Sequence, residues 1–247
     1  MQDQGWHLPP RPLLLRENEV HVWRASLDEA TDDVAQWQAL LRDDEVERAG
    51  RFYFAKDRRH WIVARATLRA LLGRYLEIEP QELRFAHNEY GKPSIESPTM
   101  GQHLQFNLSH SGELALYAFA YNRAVGVDVE QMRAPVAYAE LATHFFSAHE
   151  CHALLALPEE QREEAFFLCW SRKEAYIKAR GKGLSLPLNQ FDVSLAPGEP
   201  ARLLDSREEP QVTERWSLAA LFPGTGYAGA LVAEGSGWQL HCWQWQG

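Results

Sequence analysis

No run of 18 apolar residues occurs in this 247-residue chain, so nothing in it reads as a membrane-spanning helix. Cysteine is scarce: Cys151, Cys169 and Cys242 form an odd set without Cys-x-x-Cys spacing, which sets aside a zinc site and a disulfide framework. The opening Met1-Gln2-Asp3-Gln4-Gly5-Trp6 lacks the basic region and apolar core of a signal peptide, and cytoplasmic residence is the expectation. Neither a Walker A order nor a G-x-G-x-x-G after a strand is present. Positive charge is also short: 25 Lys and Arg against 34 Asp and Glu leave a net charge of −9, which argues against general nucleic-acid binding. No low-complexity segment appears, and 45% hydrophobic residues with 11% aromatics describe an ordinary globular protein of one large or two modest domains.

The basic residues that remain are unevenly placed. Arg48, Arg51, Lys56, Arg58, Arg59, Arg65, Arg69 and Arg74 face a single acid, Asp57, between positions 48 and 74. A basic island in an acidic chain suits a small polyanion better than a duplex. The same segment is amphipathic through Trp61, Ile62, Leu68, Leu71, Leu72 and Tyr75, so part of the cationic set is expected to be only the wet side of a helix.

Periodicity predicts alternating short strands and helices. Strands are expected over Glu19–Ala25, Glu82–His87, Gln105–Ser109, Leu114–Ala120 and Val125–Glu130, then over Phe191–Leu195, Trp216–Leu221, Gly226–Ala233 and Gln239–Trp245. Helices are expected over Asp32–Leu41, Asp44–Phe54, Asp57–Leu76, Tyr138–Phe145, Ala148–Leu157 and Glu163–Arg180, the last stopped by Gly181-Lys182-Gly183. Arg51-Phe52-Tyr53-Phe54 leading into one long helix is faintly echoed by Phe166-Phe167-Leu168-Cys169, which hints at two related halves meeting near 124.

Two segments carry the chemistry. In Ala124-Val125-Gly126-Val127-Asp128-Val129-Glu130, strict alternation puts three valines on one strand face and Asp128 and Glu130 on the other, roughly 6.5 Å apart. In Trp170-Ser171-Arg172-Lys173-Glu174-Ala175-Tyr176-Ile177-Lys178, Glu174 and Lys178 share a helix face at i,i+4. Oxygen ligands without His or Cys suit Mg²⁺ (or Mn²⁺), which retains waters and phosphate oxygens in its shell. Acids at a strand end and a Glu/Lys pair on a helix are also common surface features. Phe106-Asn107-Leu108-Ser109-His110-Ser111-Gly112 is expected to end a strand in a turn of anion-facing donors, or in a simple Asx-type turn. Tyr90-Gly91-Lys92-Pro93 is a tight turn displaying a lysine.

Gly91-Lys92-Pro93, Asn107-Leu108-Ser109-His110-Ser111, Gly126-Val127-Asp128-Val129-Glu130 and Trp170-Ser171-x-Lys173-Glu174-Ala175-x-x-Lys178-x-x-Gly181-x-Gly183-Leu184 together resemble the Sfp-type 4′-phosphopantetheinyl transferases, in order and spacing, from about Arg48 to Phe191. The resemblance implies an α+β pseudo-dimer of two similar halves, each a small antiparallel sheet packed on a long helix. The halves would span 1–123 and 124–247, with the active site in the cleft between them. It also implies coenzyme A as co-substrate, Mg²⁺ as cofactor, and transfer of the phosphopantetheine arm to a serine of an apo acyl or peptidyl carrier protein, with adenosine 3′,5′-bisphosphate released. Such enzymes serve fatty acid, polyketide or nonribosomal peptide biosynthesis, and a monomer is expected.

Carried over by position, Asp128, Glu130 and Glu174 match metal ligands, and Lys178 matches the lysine near the pyrophosphate. Lys92, Ser109 and His110 match groups near the coenzyme A phosphates and adenine. Arg48 and Arg51 stand where other members carry Lys at the 3′-phosphate, and Arg65 is a further candidate. Glu150, in Phe146-Ser147-Ala148-His149-Glu150, matches an acid proposed as base for the acceptor serine, a task that a metal-bound water could also perform. Because both partners would be acidic, carrier docking is expected on a local patch near 145–157, with Phe145, Phe146 and Leu154 as anchors and Arg172 or Lys182 as local cations. Two other readings stay open: a Mg²⁺-dependent phosphohydrolase acting on a nucleotide-like pyrophosphate, and a noncatalytic carrier-binding module.

Overall fold

In the computed structural model, which describes residues 5–28, 34–96, 103–133, 137–209 and 211–247, the chain builds two sheets back to back with a long helix on each outer face. Its first stretch comprises β1 (Glu19–Ser26), α1 (Val34–Gln38), α2 (Asp43–Gly50), α3 (Ala55–Leu76), β2 (Phe85–His87), β3 (Pro93–Ile95), β4 (Leu104–Ser111) and β5 (Leu114–Tyr121). There follow β6 (Val125–Gln131), α4 (Tyr138–Phe145), α5 (Ala148–Ala156), α6 (Glu159–Arg180), β7 (Phe191–Val193), β8 (Leu203–Ser206), α7 (Val212–Arg215), β9 (Trp216–Leu221), β10 (Tyr227–Glu234) and β11 (Gln239–Gln244).

The first sheet runs β11-β1-β5-β4 and the second β6-β10-β9. On one face of the first sheet Trp23, Ala25, Phe106, Tyr117 and Phe119 pack against Val63, Leu68, Leu71 and Leu72 of α3. On its other face Val20, Val22, Leu116 and Ala118 meet Val125, Val127, Val129, Leu231 and Ala233 of the second sheet. The outer face of the second sheet, with Ala228, Ala230 and Val232, takes α6 through Phe166, Cys169, Tyr176 and Ile177. Strand β1 is therefore buried on both sides, and its apolar residues divide between two cores rather than one.

The architecture is the expected α+β pair, and α3 and α6 are each 22 residues long. Several details differ from the sequence reading. Strand β11 lies at the C-terminus yet pairs in parallel with β1, so the first sheet is mixed and the second stretch of chain completes it. The Phe166–Cys169 segment lies inside α6, whereas Arg51–Phe54 precedes α3, so that echo is not a structural one. Helix α6 starts at Glu159, four residues before the expected Glu163, because Pro158 serves as N-cap and two acids stabilise the first turn. Three short elements, β3, β8 and α7, escaped the sequence reading because three or four residues show no periodicity. The expected strand over 82–87 opens instead as a 3-10 turn at Pro80–Glu82. The expected start of the first short helix, at Asp32 and Asp33, lies outside the described residues.

The placement of α6 depends on Gly126. A Cβ at that position would sit 2.2 Å from the Ala175 carbonyl oxygen and 2.3 Å from the Ala179 nitrogen, both helix backbone. The helix ends at Gly181, whose left-handed φ of 64° lets its N–H donate to the carbonyls of Ile177 and Lys178. Gly126→Ala should therefore destabilise the fold by about 3 kcal/mol or more, since neither backbone can yield cheaply; an unchanged urea midpoint would refute the close approach.

A second expectation concerns His21, which is 1% exposed, lies 2.8 Å from Tyr75 Oη through Nδ1, and faces Glu19 through Nε2. Trp23 Nε1 donates to the same phenol oxygen, which leaves the phenol proton for His21. Burial and the neighbouring His241 hold the His21 imidazole down to about 4 from 6.5. The unfolded chain thus binds more protons between those values, and stability falls as pH drops from 6.5 toward 4. We expect a loss of about 2 kcal/mol between pH 7 and pH 5 by denaturant titration, with much of that slope absent in His21→Gln.

Candidate active site

Where β4 runs beside β6, side chains join the strands. Asn107 Oδ1 accepts from Val127 N (2.9 Å), and Ser109 Oγ donates to Asp128 Oδ1 (2.8 Å). Ser111 Oγ donates to Glu130 Oε2 and accepts from Gln131 N, both at 3.0 Å. Alternation along β4 turns Asn107, Ser109 and Ser111 toward this seam, while Leu108 and His110 look into the cleft. The Asn107–Ser111 motif is thus strand throughout, not the turn that its composition suggested. From α6, Lys178 Nζ reaches Asp128 Oδ1 at 2.6 Å and Ser109 Oγ at 2.8 Å. Its i,i+4 neighbour Glu174 is left beside the acids.

Asp128 is 2% exposed, and its Oδ2 is buried without a hydrogen-bond partner. Burial pushes the Asp128 carboxyl up despite Lys178 and Ser109. Burial, then Asp128, then Glu174 push Glu130 up to about 7. Burial and Asp128 also raise Glu174. Three carboxylates that disfavour one another's charge, one of them with an orphaned oxygen, make a cluster short of positive charge. Among the described residues the acids do not close into a ready three-ligand cage. Their donor set is all oxygen, the chemistry that Mg²⁺ takes with waters and substrate oxygens in the rest of its shell.

Beside the acids lies a cleft. One chamber, of about 230 Å³, is lined by Asp44, Glu45, Arg48, Trp61, Arg65, His87 and His110. A second, of about 200 Å³, is framed by Tyr90, Lys92 and Leu108 from the first half and Ile177, Lys178, Gly181 and Gly183 from the second. His110 opens into the first chamber, and desolvation followed by Lys178 and His60 lowers its pKa.

The basic candidates separate by environment. Arg48 borders the chamber, its guanidinium 5.7 Å over the Trp61 ring. Arg51 is exposed and pairs with Glu47 at 2.7 Å, outside both chambers. Arg65 lines the chamber and pairs with buried Glu45, which also holds Arg69 at 2.6 Å, so one carboxylate is shared by two guanidiniums and the trio keeps a net positive charge at the chamber wall. Lys92 donates to the carbonyls of Val125 and Ala179, each at 3.1 Å, and burial lowers it to about 8. In this arrangement its ammonium ties the β2–β3 hairpin to the second half, and Asn88 adds a bond from Nδ2 to Gly181 O at 2.7 Å.

Residues 124–232 match the family model described as the 4′-phosphopantetheinyl transferase superfamily, and residues 23–121 match its 4′-phosphopantetheinyl transferase N-terminal counterpart. The chain belongs to the 4′-phosphopantetheinyl transferase family. It is 38% identical to the 4′-phosphopantetheinyl transferase HetI of Nostoc sp. over 99% of this chain and 100% of that one. It is also 33% identical to the transferase Sfp of Bacillus subtilis, over 75% of this chain and 73% of the relative. Membership makes the chain a transferase of this kind and gives the acid seam and the cleft their context.

Several positions carried over from the family turn out differently. Glu150 is not at the acid seam. It is fully buried; Oε2 accepts from Ser147 N (2.9 Å) and faces Lys173 Nζ (2.7 Å), and Oε1 accepts from Val193 N (2.8 Å). Both of its oxygens are thus engaged within the core, away from the acid seam. Phe146 and Leu154 lie in the core at 4% and 1% exposure, so they are not docking anchors. Phe145 is half-buried against Trp170. Arg172 is buried and donates to Ser194 O at 2.7 Å, which removes it as a surface cation; Lys182 remains partly exposed. The sequence reading missed Asn107 and Ser111 as seam residues, although their alternation with Ser109 was a usable signal. Glu45, Trp61 and His87 carried none.

Asp128→Asn should keep the bond from Ser109 while removing a charge from the crowded cluster. We expect transfer to fall by about 10²-fold or more and Tm to stay within about 3 °C, because relieving like-charge repulsion offsets the lost Lys178 pair. Full activity in metal-free buffer would exclude the acids from the chemistry.

Proposed function

We propose that the chain moves the 4′-phosphopantetheine arm of coenzyme A to a serine of an apo acyl or peptidyl carrier protein, with Mg²⁺ held by Asp128, Glu130 and Glu174. The carrying observation is the buried, unpartnered Asp128 Oδ2 within three mutually repelling carboxylates at the edge of the cleft. In this reaction the serine oxygen bonds to the β-phosphorus, the bond from that phosphorus to the bridging oxygen breaks, and adenosine 3′,5′-bisphosphate leaves. A bound divalent cation supplies charge neutralisation for the pyrophosphate.

The chain's own residues orient and exclude. Lys178, anchored by Ser109 and Asp128 yet 28% exposed at its side chain, is placed to meet phosphate oxygens. Arg48 with Trp61 offers a cation and a ring face in the first chamber, suited to the nucleotide end of coenzyme A. His110 stands between that chamber and the acids. With Glu150 enclosed, the serine proton is assigned to a water at the acid cluster rather than to that residue. A phosphohydrolase has no use for the tethered two-half cleft, and a noncatalytic module has no use for a strained acid cluster. Among the described residues no helix is long and apolar enough to cross a membrane; cytoplasmic residence and a monomeric state belong to this proposal.

Mass spectrometry of an apo carrier protein incubated with the protein, coenzyme A and Mg²⁺ should show the gain of one phosphopantetheine group. Coenzyme A breakdown with an unmodified carrier would favour the phosphohydrolase. By calorimetry, Arg48→Ala should erode the preference for coenzyme A over its 3′-dephospho form by about 10-fold, the weight of a charge-assisted bond, whereas Arg51→Ala should change it less than about 2-fold.

A further inference from the structure

Lys173 immediately precedes Glu174 in α6, is fully buried, and serves none of the steps above. Its ammonium sits 2.7 Å from Glu150 Oε2, 2.7 Å from Leu188 O and 2.6 Å from Phe191 O. Three acceptors from three separate places, the first turn of α5, the turn at Leu188 and the start of β7, thus converge on one side chain of α6. On another side of the helix, Ala175 and Ala179 rest on the bare backbone of Gly126. At about 100° per residue, Glu174 and Lys178 fall on the arc between these two contacts. The helix is therefore held at both edges of the face that carries its reacting side chains.

We propose that the Glu150–Lys173 pair is a positioning device for the catalytic face of α6: it fixes the helix rotation that presents Glu174 and Lys178 to Asp128. The inference rests on the coenzyme A and metal reading of that face. A buried ion pair is weak evidence for stability, because apolar residues of similar volume often fill such a site as well. Apolar packing has no direction, however, whereas an ammonium with three fixed acceptors permits one rotation. Lys173 also draws in Leu188 and Phe191, and so anchors the segment that returns from Gly181 and Gly183 on the cleft wall.

The test uses the full chain in three forms. Glu150→Gln keeps an acceptor for Lys173 and should retain kcat within about 5-fold, since no proton passes through it. Glu150→Leu alone strands a buried ammonium and should lower Tm by roughly 6–12 °C. Combining Glu150→Leu with Lys173→Met should bring Tm back to within about 4 °C of the parent, yet leave kcat at least about 10-fold down with the KM for coenzyme A changed less than about 3-fold. Calorimetric Mg²⁺ affinity of that double variant should fall about 3- to 10-fold, a readout independent of turnover. A 100-fold loss of kcat in Glu150→Gln at unchanged Tm would make Glu150 a chemical participant and overturn the proposal. Parental kcat and Mg²⁺ affinity in a double variant of restored Tm would reduce the pair to packing and overturn it equally. Should the double variant not fold, Lys173→Arg decides: it keeps the buried charge but not the three-acceptor geometry, so parental kcat and Mg²⁺ affinity at near-parental Tm would overturn the proposal and a loss of both would support it. Absence of transfer by the parent chain would instead refute the coenzyme A reading, while the Tm series would still report on the pair.

Discussion

The seam between β4 and β6 is closed by side chains where a backbone ladder would otherwise run, and the rest of the site depends on that substitution. Asn107 and Ser111 each bind a β6 N–H, while Ser109 and Ser111 hold Asp128 and Glu130 by their carboxylates. Backbone pairing would satisfy the strands and leave the acids idle. Side-chain pairing makes the join between the sheets and the placement of the acids one and the same set of bonds. The valines on the opposite face of β6 are buried against the first sheet, so the strand cannot roll to relieve its crowded charges.

Helix α6 completes the arrangement from above. Gly126 admits it closely enough for Lys178 to reach Asp128, and Lys173 sets its rotation. Positive charge in the region is divided by task. Arg65 and Arg69 share Glu45, and Arg69 also binds the carbonyls of Pro80 and Leu83, which ties α2, α3 and the turn that follows them into one wall. Lys92 is spent as a tether across the cleft. Arg48 is left at the chamber rim beside Trp61. Within the basic island, Arg65 and Arg69 thus serve the framework while Arg48 faces the cleft.

Much of this was open to inspection in the linear chain. The alternation at 124–130 fixed which side chains of β6 face the core and which face the acids, because a strand has period two and cannot present both sets to one side. The spacing of Glu174 and Lys178 put them on one helical face, and Gly181 marked where that helix stops. The four ordered motifs identified the family.

What tertiary structure alone decided is which charges are free to act. Glu150 and Lys173 look no different in sequence from Glu174 and Lys178, yet the first two are closed in the core and the second two open on the seam. Arg65 and Arg48 are alike as letters and differ only because Glu45 folds beneath one of them. Strand β11 crosses to the first sheet because β1 offers it an open edge, a choice made by sheet geometry far from position 239. Periodicity reports the face on which a residue lies, since that is set by the local backbone; whether a charge on that face is spent or available depends on partners dozens of residues away, and no local pattern encodes them.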